Sequence, residues 1–502
     1  MTTPPLPGAD PAHSALLTDL YQLTMALGYW RSGRAEREAA FHLYFRTAPF
    51  GGGYAVACGI EPALAYLEAL RFDDADLTYL ASLHGADGTT LFPPDFLDAL
   101  SKLRLTLDVD VVPEGTVVFP TEPLVRVRGP LLQAQLVETA LLVHVGFPTL
   151  VATKAARLCL AAGGDPVVEF GLRRAQGPDG GLSATRASYV GGCAATSHVL
   201  AGQRFGIPVR GTHAHSWVMA FDDERQAFDA YARALPNNVV LLVDTYDTLD
   251  GVRNAITTGL RLRAEGHRLD AIRLDSGDLA YLSRQARRML DEAGLTDVAI
   301  MATNDLDETV ITSLKQQGAP ITIWGVGTRL ATAYDQPALG AVYKLTAMRD
   351  DAGAWSPRVK VSEQAAKTTI PGLLQVRRYR VQDGDPGEVG QFAADMLVDE
   401  HAPPPDGDTV MVDPLDPTRR RRFAAGTPWE PLLVPALQAG KRVRDAESLD
   451  AARVRARSQL AGFHGGIKRL VNPHRHPVGL ELGLHERRTA LVMEMRGAPG
   501  AA

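Results

Sequence analysis

Residues 239–275 read VVLLVDTYDTLDGVRNAITTGLRLRAEGHRLDAIRLD. Two short apolar runs, which begin at Val239 and Ala271, each end in acidic residues, and a stretch with helical periodicity separates them. A strand, a helix and a second strand in this order are typical of a parallel βα unit. This stretch therefore predicts an α/β fold with a parallel sheet.

The same alternation continues on both sides of this stretch. Polar residues at the ends of the runs recur at intervals of about 24 to 32 residues, which leaves room for one strand, one helix and two loops. We therefore predict an irregular β/α (TIM-like) barrel or, failing that, a doubly wound sheet. The other predicted strands are VVEFGLRR from Val167, IPVRGTHAH from Ile207, VAIMATND from Val298, ITIWGVGT from Ile321 and GAVYKL from Gly340.

The segments that flank the predicted barrel have a mixed pattern. Residues 1–15 are rich in Pro, Gly and Thr, and we expect a flexible N-terminus there. Residues 16–140 combine a helical stretch, LLTDLYQLTMALGYW, with strand-like AAFHLYF and VDVVPEGTVVFPT, which predicts an α/β domain. We place the barrel at 141–345, and we expect residues 346–502, with strand-like QVRRYRV, to pack back on the N-terminal domain.

The composition excludes several classes of protein. Of 502 residues, 45% are hydrophobic and 22% are charged, unlike a disordered chain. With a net charge of −6, the chain lacks the excess of basic residues that is typical of nucleic-acid-binding proteins. The three cysteines contain no CxxC pair, which fits the reducing cytoplasm. We read no secretory signal at the start, and charged residues interrupt the most apolar stretch, at 136–164, so we predict no membrane span.

Charged and polar residues collect where the predicted strands end. Ligands bind at the carboxyl ends of the strands in both candidate architectures, so a common pocket explains the whole set better than separate salt bridges do. The set comprises Glu169, Phe170, Arg173, Arg174, Thr212, His213, His215, Ser216, Asp244, Arg273, Asp275, Asp278, Asn304, Asp305, Gly325, Gly327 and Thr328.

Two motifs in this set indicate anion binding. In WGVGTRL, two glycines and Thr328 lie between a strand and a predicted helix, where backbone N–H groups attract phosphate. In RLDSGDL, the fork of Arg273 can bind a carboxylate or phosphate, while Asp275 and Asp278 can hold ribose hydroxyls or magnesium and its waters. Asp278 can instead cap the helix that begins near Leu279.

THAHS separates two kinds of function. A His-x-His pair can ligate zinc in a barrel metallohydrolase, but such sites need further ligands on later strands. Between Ser216 and Glu400 the only histidine is His267, which weakens that alternative. One histidine oriented by a carboxylate such as Asp244 would instead be a competent nucleophile toward phosphate. The arginine run 419–422 is a second candidate anion site, although its composition favours a solvated face or interface ion pairs.

Eleven short motifs, in order along the chain, resemble those of nicotinate phosphoribosyltransferases. They are LLTDLYQLTM, FRTAPFGGGYAVACG, EFGLRRAQ, GTHAHS, LLVDTYDT, RLDSGDL, ATNDLDE, WGVGT, LGAVYKL, KTTIPG and NPHRHPV. The resemblance implies an N-terminal α/β domain completed by C-terminal segments, an irregular barrel, and a homodimer with shared active sites. It also implies transfer of phosphoribosyl from 5-phosphoribosyl 1-diphosphate to nicotinate, driven by ATP hydrolysis, with Mg²⁺ carried mainly by the diphosphate.

The same resemblance assigns roles to residues. His215 matches the histidine that is phosphorylated, Asp244 matches the carboxylate that orients it, and Asp275 is a further catalytic carboxylate. His213 falls at the variable position of the motif, so we expect no direct role for it. Tyr21 of the partner subunit and Phe170 match the two aromatic residues that sandwich the pyridine ring.

The remaining assignments concern the two substrates. By resemblance, Arg273 meets the nicotinate carboxylate, with Thr212 and Ser216 nearby. The residues expected to bind phosphoribosyl diphosphate are Arg173, Arg174, Asp278, Asn304, Gly325, Gly327 and Thr328. A similar family, the nicotinamide phosphoribosyltransferases, has an aspartate that accepts a hydrogen bond from the carboxamide. Our alignment of YVGGCAATSH places Ala194 there, which favours nicotinate over nicotinamide.

Overall fold

The computed structural model describes residues 14–364, 367–381, 391–402 and 407–497, so residues 1–13 of the predicted flexible N-terminus lie outside the described residues. The α-helices are α1 (Leu20–Arg31), α2 (Ile60–Ala69), α3 (Asp74–Ala81), α4 (Pro94–Lys102), α5 (Leu131–Leu136), α6 (Glu138–Ala162), α7 (Gly177–Val190), α8 (Val199–Phe205), α9 (His215–Met219), α10 (Glu224–Ala234), α11 (Thr248–Ala264), α12 (Leu279–Glu292), α13 (Glu308–Gln316), α14 (Thr328–Ala331), α15 (Leu449–Gly462) and α16 (Leu482–Met495).

The β-strands are β1 (Glu38–Phe45), β2 (Ala55–Val56), β3 (Asp108–Val111), β4 (Val117–Val118), β5 (Val125–Pro130), β6 (Val167–Glu169), β7 (Ala195–Thr196), β8 (Val240–Leu242), β9 (Ala271–Leu274), β10 (Ala299–Ala302), β11 (Ile323–Val326), β12 (Ala341–Arg349), β13 (Trp355–Pro357), β14 (Leu374–Arg380), β15 (Phe392–Asp399), β16 (Thr409–Val412), β17 (Arg420–Phe423), β18 (Trp429–Pro431), β19 (Val434–Gln438), β20 (Lys441–Arg442) and β21 (Val478–Glu481). The chain divides into a central unit, Leu150–Pro337, and a terminal unit made of Met1–Thr149 and Ala338–Ala502.

The central unit contains a parallel sheet in the order β7-β6-β11-β10-β9-β8, which curls into a half-barrel. Its strands are short and apolar and alternate with helices α7 to α14, and most residues along β6, β9, β10 and β11 are buried, as expected for a parallel sheet with no solvent-facing side. Ile272, Leu274 and Trp324 are buried. The predicted α/β class and irregular barrel are confirmed. Since the strands are parallel, their carboxyl ends lie along one edge, and this edge carries the candidate site.

One predicted barrel strand is not a strand. The run from Ile207 makes only an isolated parallel bridge, Thr196 with Val209, because Pro208 has no N–H to donate. Farther along, Nε2 of His213 accepts a hydrogen bond from the backbone N–H of Leu242 in β8, at 3.2 Å. Segment 207–214 therefore contacts both edge strands of the sheet, β7 and β8, and takes the place of the missing strand.

A second prediction about the barrel was also wrong. The run GAVYKL belongs to β12 in the terminal unit, where it pairs antiparallel with β1, as Phe41 opposite Leu345 and Leu43 opposite Tyr343. The apolar periodicity of the run indicates a strand, but it contains no information about which strand will be its neighbour.

The terminal unit contains two large sheets. One has the order β13-β12-β1-β5-β3-β19-β20, and the other has the order β17-β16-β21-β15-β14-β18. The helix predicted from LLTDLYQLTMALGYW is confirmed as α1, and AAFHLYF and QVRRYRV are confirmed as strands in β1 and β14. In the arginine run, Arg419 pairs with Asp416 and Arg422 pairs with Asp408, so ion pairs account for half of it.

Helix α6 is the longest apolar helix among the described residues. Its length and composition would allow it to cross a membrane, but 67% of its most apolar stretch is buried inside the protein. Burial of this extent is typical of a core helix in a soluble protein.

Candidate active site

Arg273 is held in place by three hydroxyl and carboxylate groups at the carboxyl edge of the half-barrel. From strand β9 it donates through Nε to Thr303 Oγ1 at 2.9 Å, through Nη1 to Thr212 Oγ1 at 2.8 Å, and through Nη2 to Asp275 Oδ1 at 3.1 Å. Three partners on three different segments fix the plane of the guanidinium. A fixed, planar guanidinium can bind a carboxylate through two parallel hydrogen bonds.

Phe170 lies beside Arg273 at the same edge. The guanidinium carbon is 5.9 Å from the centre of the Phe170 ring. The ring also packs against Gly325 in β11, where a Cβ atom would lie 2.8 Å from two ring carbons. Gly325 is buried within the strand, so its lack of a side chain makes room for the ring. An aromatic face beside a cation can bind a flat, negatively charged ring.

His215 is the first residue of helix α9, with a side chain that is 40% exposed. Its Nδ1 atom lies 3.1 Å from Thr245 Oγ1, and its Nε2 atom lies 3.6 Å from Asp275 Oδ2. The imidazole is therefore accessible to a phosphoryl donor, and a carboxylate beside it can stabilise positive charge on the ring.

The carboxylate beside His215 is Asp275, whereas the sequence assigned this role to Asp244. Oδ2 of Asp244 accepts hydrogen bonds from the backbone N–H of Asp275 at 2.8 Å and from Ser276 Oγ at 2.7 Å. Asp244 is 8% exposed, and among the described residues its Oδ1 atom has no hydrogen-bond partner. Asp244 thus shapes the turn that presents Asp275, and its contact with the imidazole is indirect.

Asp275 is ionised in this setting. Burial raises the pKa of its carboxyl group, but the hydroxyl of Thr303, the Arg273 guanidinium and His215 together outweigh burial and hold the pKa below its usual range. An ionised Asp275 balances the charge of Arg273. It also leaves the pocket with an acceptor facing His215.

His213 is a structural residue in the described molecule. It is 7% exposed, its Nε2 accepts from Leu242, and its ring packs edge-on against Tyr231 with centroids 4.9 Å apart. Because Nε2 is an acceptor, the proton is on Nδ1, which lies 3.3 Å from the Ala214 carbonyl oxygen. Among the described residues, no three His, Cys, Asp or Glu side chains are grouped as a metal site. Nε2 of His213 is engaged with Leu242, so it is not available to zinc as part of the His-x-His pair.

The predicted phosphate-binding residues form a looser group along the same edge. Arg173 and Arg174 are exposed on a 3₁₀ turn after β6, and Thr328 begins the short helix α14. Asn304, in the turn after β10, has a left-handed backbone with φ 83°. Asp278 accepts from the backbone N–H of Tyr281 at 3.0 Å, so it is the cap of α12. Ser216 and Asp305 are exposed, and Gly327 follows β11.

Tyr21 belongs to the terminal unit, on helix α1, and is 48% exposed. The helix is anchored by buried Gln22, which donates to Glu138 at 3.2 Å and accepts from Gln135 at 2.9 Å. Burial first, and then the charges of Glu138 and Asp19, raise the pKa of Tyr21 above its ordinary value. Tyr21 therefore presents a neutral phenol on a firmly held helix.

The alignment that placed Ala194 in the pocket was wrong. Ala194 precedes β7 and donates to the carbonyl of Val167 at 2.8 Å, at the amino ends of the parallel strands. The residue that follows β7 at the carboxyl edge is Ser197, which is uncharged. Ala194 therefore does not influence whether the pocket binds nicotinate or nicotinamide.

Sequence reasoning missed several residues that organise the site. Thr303 directly follows strand β10 and contacts Arg273, and Thr245, in the loop after β8, contacts His215. Ser276 bonds Asp244 within RLDSGDL. A hydroxyl near the end of a predicted barrel strand could have indicated these residues. Threonine is also common within strands, so its presence there did not stand out as a site residue.

Several known proteins are similar to this chain in sequence and in fold. Residues 16–146 match the family model described as the nicotinate phosphoribosyltransferase N-terminal domain, and residues 377–488 match the C-terminal domain of the same family. The nicotinate phosphoribosyltransferase of Bacillus subtilis (strain 168) is 49% identical over 389 residues, which cover 77% of this chain and 76% of the relative.

Similarity extends to the human protein in sequence and structure. The nicotinate phosphoribosyltransferase of Homo sapiens is 38% identical over 546 residues, with 97% of each chain covered. The crystal structure of human nicotinic acid phosphoribosyltransferase aligns with a TM-score of 0.81 at 35% identity, covering 94% of this chain and 99% of that one.

Proposed function

Because the chain belongs to the nicotinate phosphoribosyltransferase family and converts nicotinate to nicotinate mononucleotide in NAD biosynthesis, we propose that its barrel edge is the active site and that ATP drives the reaction through a phosphohistidine. Enzymes of this family use nicotinate and phosphoribosyl diphosphate as substrates. The observation that carries the proposal is the convergence of Arg273, Phe170 and His215, which come from three different segments of one unit.

Nicotinate binds through its charge and its ring. The carboxylate accepts hydrogen bonds from Arg273, whose orientation Thr212 fixes, and Ser216 lies nearby in the first turn of helix α9. The pyridine ring stacks between Phe170 and Tyr21 of the partner subunit, since a flat heteroaromatic ring packs well between two aromatic faces. A neutral Tyr21 suits this contact because it adds no repulsion toward the carboxylate.

The reaction exchanges one bond at ribose carbon 1. The lone pair of the pyridine nitrogen forms the new C–N bond while the bond to diphosphate oxygen breaks, and its electron pair leaves with the diphosphate. Positive charge on the sugar and negative charge on the leaving group develop together. The residues proposed to bind the phosphates are Arg173, Arg174, Asn304, Gly327 and Thr328, and Asp278 is proposed to lie at the ribose hydroxyls or at magnesium and its waters.

Asp275 and Asp278 are the carboxylates that would hold magnesium if it is carried by the diphosphate. Mg²⁺ keeps several waters and needs only one or two protein carboxylates beside phosphate oxygens. Asp275 is ionised and partly exposed at the site, and Asp278 is the next carboxylate on the same turn. These donors fit a substrate-borne ion, and they do not form a cage of three protein ligands among the described residues. The ion supplies charge neutralisation of the departing diphosphate.

ATP is coupled through His215. An imidazole nitrogen forms a bond to the γ-phosphorus of ATP, the bond to the β-phosphate oxygen breaks, and ADP leaves. The phosphoryl group adds about −1.5 to −2 charges to the pocket, by analogy with other phosphorylated side chains. It therefore changes the affinity for the phosphorylated ligands. Asp275 and Thr245 hold the imidazole during this step.

The first test is diphosphate release from 5-phosphoribosyl 1-diphosphate with magnesium. Nicotinate, nicotinamide and quinolinate are compared, each with and without ATP. Release with nicotinate that ATP stimulates, with ADP formed in step, is the expected result. Nicotinate-dependent release that ATP leaves unchanged would remove the coupling and leave the transfer reaction.

A pair of histidine variants tests the phosphohistidine. His215→Ala should lose ATP stimulation and ³²P labelling from γ-labelled ATP while retaining slow, uncoupled transfer. His213→Gln is the matched control because it lies two residues away and keeps an acceptor for Leu242. Labelling that persists in His215→Ala would assign the phosphoryl group to another residue.

We also propose a cytoplasmic homodimer with shared sites. Apolar side chains are exposed in the 3₁₀ turn after β6 (Leu172), at the start of α8 (Val199 and Leu200) and in segment 207–214 (Val209), which is typical of a surface that a second copy covers. Free cysteines, two of them buried, fit a reducing compartment.

Mixing two impaired variants tests the sharing directly. Tyr21→Ala and His215→Ala are denatured together and refolded. If Tyr21 serves the partner's barrel, the mixed dimer contains one site with both residues intact, and ATP-stimulated activity returns. Activity that stays absent after mixing, with dimers confirmed by light scattering, would place Tyr21 and His215 of one chain in the same site.

A further inference from the structure

A fully buried carboxylate lies directly before Phe170. Glu169 is the last residue of β6 and is 1% exposed. It accepts hydrogen bonds from the backbone N–H of Gly171, from Thr185 Oγ1 at 3.0 Å and from Thr196 Oγ1 at 2.6 Å. A buried carboxylate needs such donors because burial without them is costly. The three donors come from the loop after β6, from α7 and from β7.

A histidine completes this network on its far side. The backbone N–H of His198 donates to Thr196 Oγ1 at 2.9 Å, and its Nδ1 lies 3.1 Å from Thr185 Oγ1. Each threonine has one hydroxyl proton, which it gives to Glu169. Thr185 Oγ1 must therefore accept from an Nδ1–H of His198. All hydrogen bonds in the network point toward Glu169.

The network fixes the backbone on both sides of Phe170. The N–H of Phe170 donates to the Val326 carbonyl at 2.8 Å, and the next N–H, of Gly171, donates to the Glu169 side chain. Gly171 is packed so closely that a Cβ atom would lie 2.3 Å from Ala331 Cβ. With its flanking peptide groups held, the backbone from which Phe170 presents its ring is fixed in position.

We propose that Glu169 is a positioning residue for nicotinate, acting through Phe170 and supported by Thr185, Thr196 and His198. The inference rests on the proposed contact between Phe170 and the pyridine ring. Glu169 itself touches no substrate. It holds the peptide after Phe170, and loss of that hold lets the ring leave its stacking position.

The expected effect separates binding from chemistry. A ring that contacts nicotinate in the ground state and the transition state contributes uniform binding, so its displacement raises KM and leaves kcat nearly unchanged. Thr185→Val keeps the shape of the side chain but removes one donor from Glu169. We expect the KM for nicotinate to rise roughly five- to tenfold, which corresponds to the net contribution of one typical hydrogen bond.

The experiment compares four variants of the full-length enzyme. Thr185→Val and Glu169→Gln should raise the nicotinate KM and leave the KM for ATP unchanged. Thr185→Ser retains the hydroxyl and should behave like the wild type. Phe170→Ala tests the ring contact itself and should raise the nicotinate KM at least as much. Thermal melting of each variant reports any general loss of stability.

Two outcomes overturn the inference in distinguishable ways. If Phe170→Ala raises the nicotinate KM while Thr185→Val and Glu169→Gln lower only the melting temperature, Glu169 is merely structural and the proposed function stands. If Phe170→Ala leaves the nicotinate KM unchanged, the ring contact in the proposed function fails, and the role of Glu169 fails with it.

Discussion

The ring of Phe170 packs on the backbone of Gly325. A Cβ atom at Gly325 would lie 2.8 Å from Phe170 Cδ2 and Cε2, and 2.6 Å from Thr303 Cγ2, closer than real Cβ atoms approach their neighbours. Any side chain at this position must therefore displace the ring, the threonine or the strand. The sequence indicated Gly325 as part of a phosphate-binding turn, whereas its contacts relate it to the aromatic ring.

Gly325→Ala should therefore impair nicotinate binding. The added methyl group pushes the Phe170 ring away from β11, and we expect the nicotinate KM to rise roughly tenfold, as for over-packing that costs about 1 to 3 kcal/mol. Steady-state kinetics with both substrates varied measures this. Gly180→Ala, in α7 of the same unit, is the control because its nearest neighbour is 3.9 Å away. A raised KM for phosphoribosyl diphosphate alone would restore the phosphate role of Gly325.

His213 should make folding stability depend on pH. Burial, chiefly, lowers its pKa from 6.5 to about 4, with Arg273 and His215 adding to the effect and the Ala214 carbonyl opposing it. Between about pH 4 and pH 6.5, the unfolded chain therefore binds a proton at His213 that the folded protein does not bind. Stability should be full above pH 6.5 and fall by roughly 3 kcal/mol as the pH drops to about 4.

A variant without the imidazole isolates this contribution. His213→Gln keeps an acceptor for the N–H of Leu242 but cannot be protonated. Urea unfolding at pH 7 and at pH 4.5 should show a smaller loss of stability for the variant than for the wild type. Equal losses in the two proteins would show that His213 is protonated in the folded state at pH 4.5.

The two aspartates near His215 should differ in their effects. Asp275→Asn removes the negative charge that lies beside the His215 imidazole and pairs with Arg273. We therefore expect ³²P labelling of the enzyme and ATP stimulation to fall at least tenfold. Asp244→Asn can still accept from the Asp275 N–H and Ser276 through its carbonyl oxygen, and its loss should be smaller. The reverse order would return the orienting role to Asp244.

The sequence predicted much of this edge of the barrel because of a rule of parallel sheets. Polar residues that follow consecutive apolar runs must meet at one edge, whatever the details of the loops. Arg273, Asp275 and Thr212 were identified in this way, and the structure places them in mutual contact. The roles assigned to them by resemblance remain predictions.

Three-dimensional neighbours could not be predicted in the same way. GAVYKL is as apolar as the barrel strands, and only its pairing with β1, about 300 residues earlier in the chain, places it in the terminal unit. Residue type alone does not distinguish His213 from His215, and only the family resemblance separated them. In the structure they differ because the N–H of Leu242 in β8 donates to His213, whereas the side chain of His215 is 40% exposed.

Arg273 provides the sharpest test of substrate recognition. Its guanidinium already donates to Thr303, Thr212 and Asp275, so it is held rigid before the substrate arrives. Arg273→Gln removes a charged donor that the carboxylate of nicotinate needs and that nicotinamide does not need. We expect kcat/KM for nicotinate to fall roughly 100-fold, in line with about 2 to 3 kcal/mol for hydrogen bonds to a charged group.

Nicotinamide supplies the comparison for this variant. As a competitive ligand it has no carboxylate, so its inhibition constant should change much less than kcat/KM for nicotinate. Arg263→Gln is the control, since Arg263 lies on α11 and donates to Gly294 and Asp297, away from the barrel edge. Equal losses for acid and amide in Arg273→Gln would mean that the guanidinium supports the pocket through Thr212 and Thr303 and does not recognise the carboxylate.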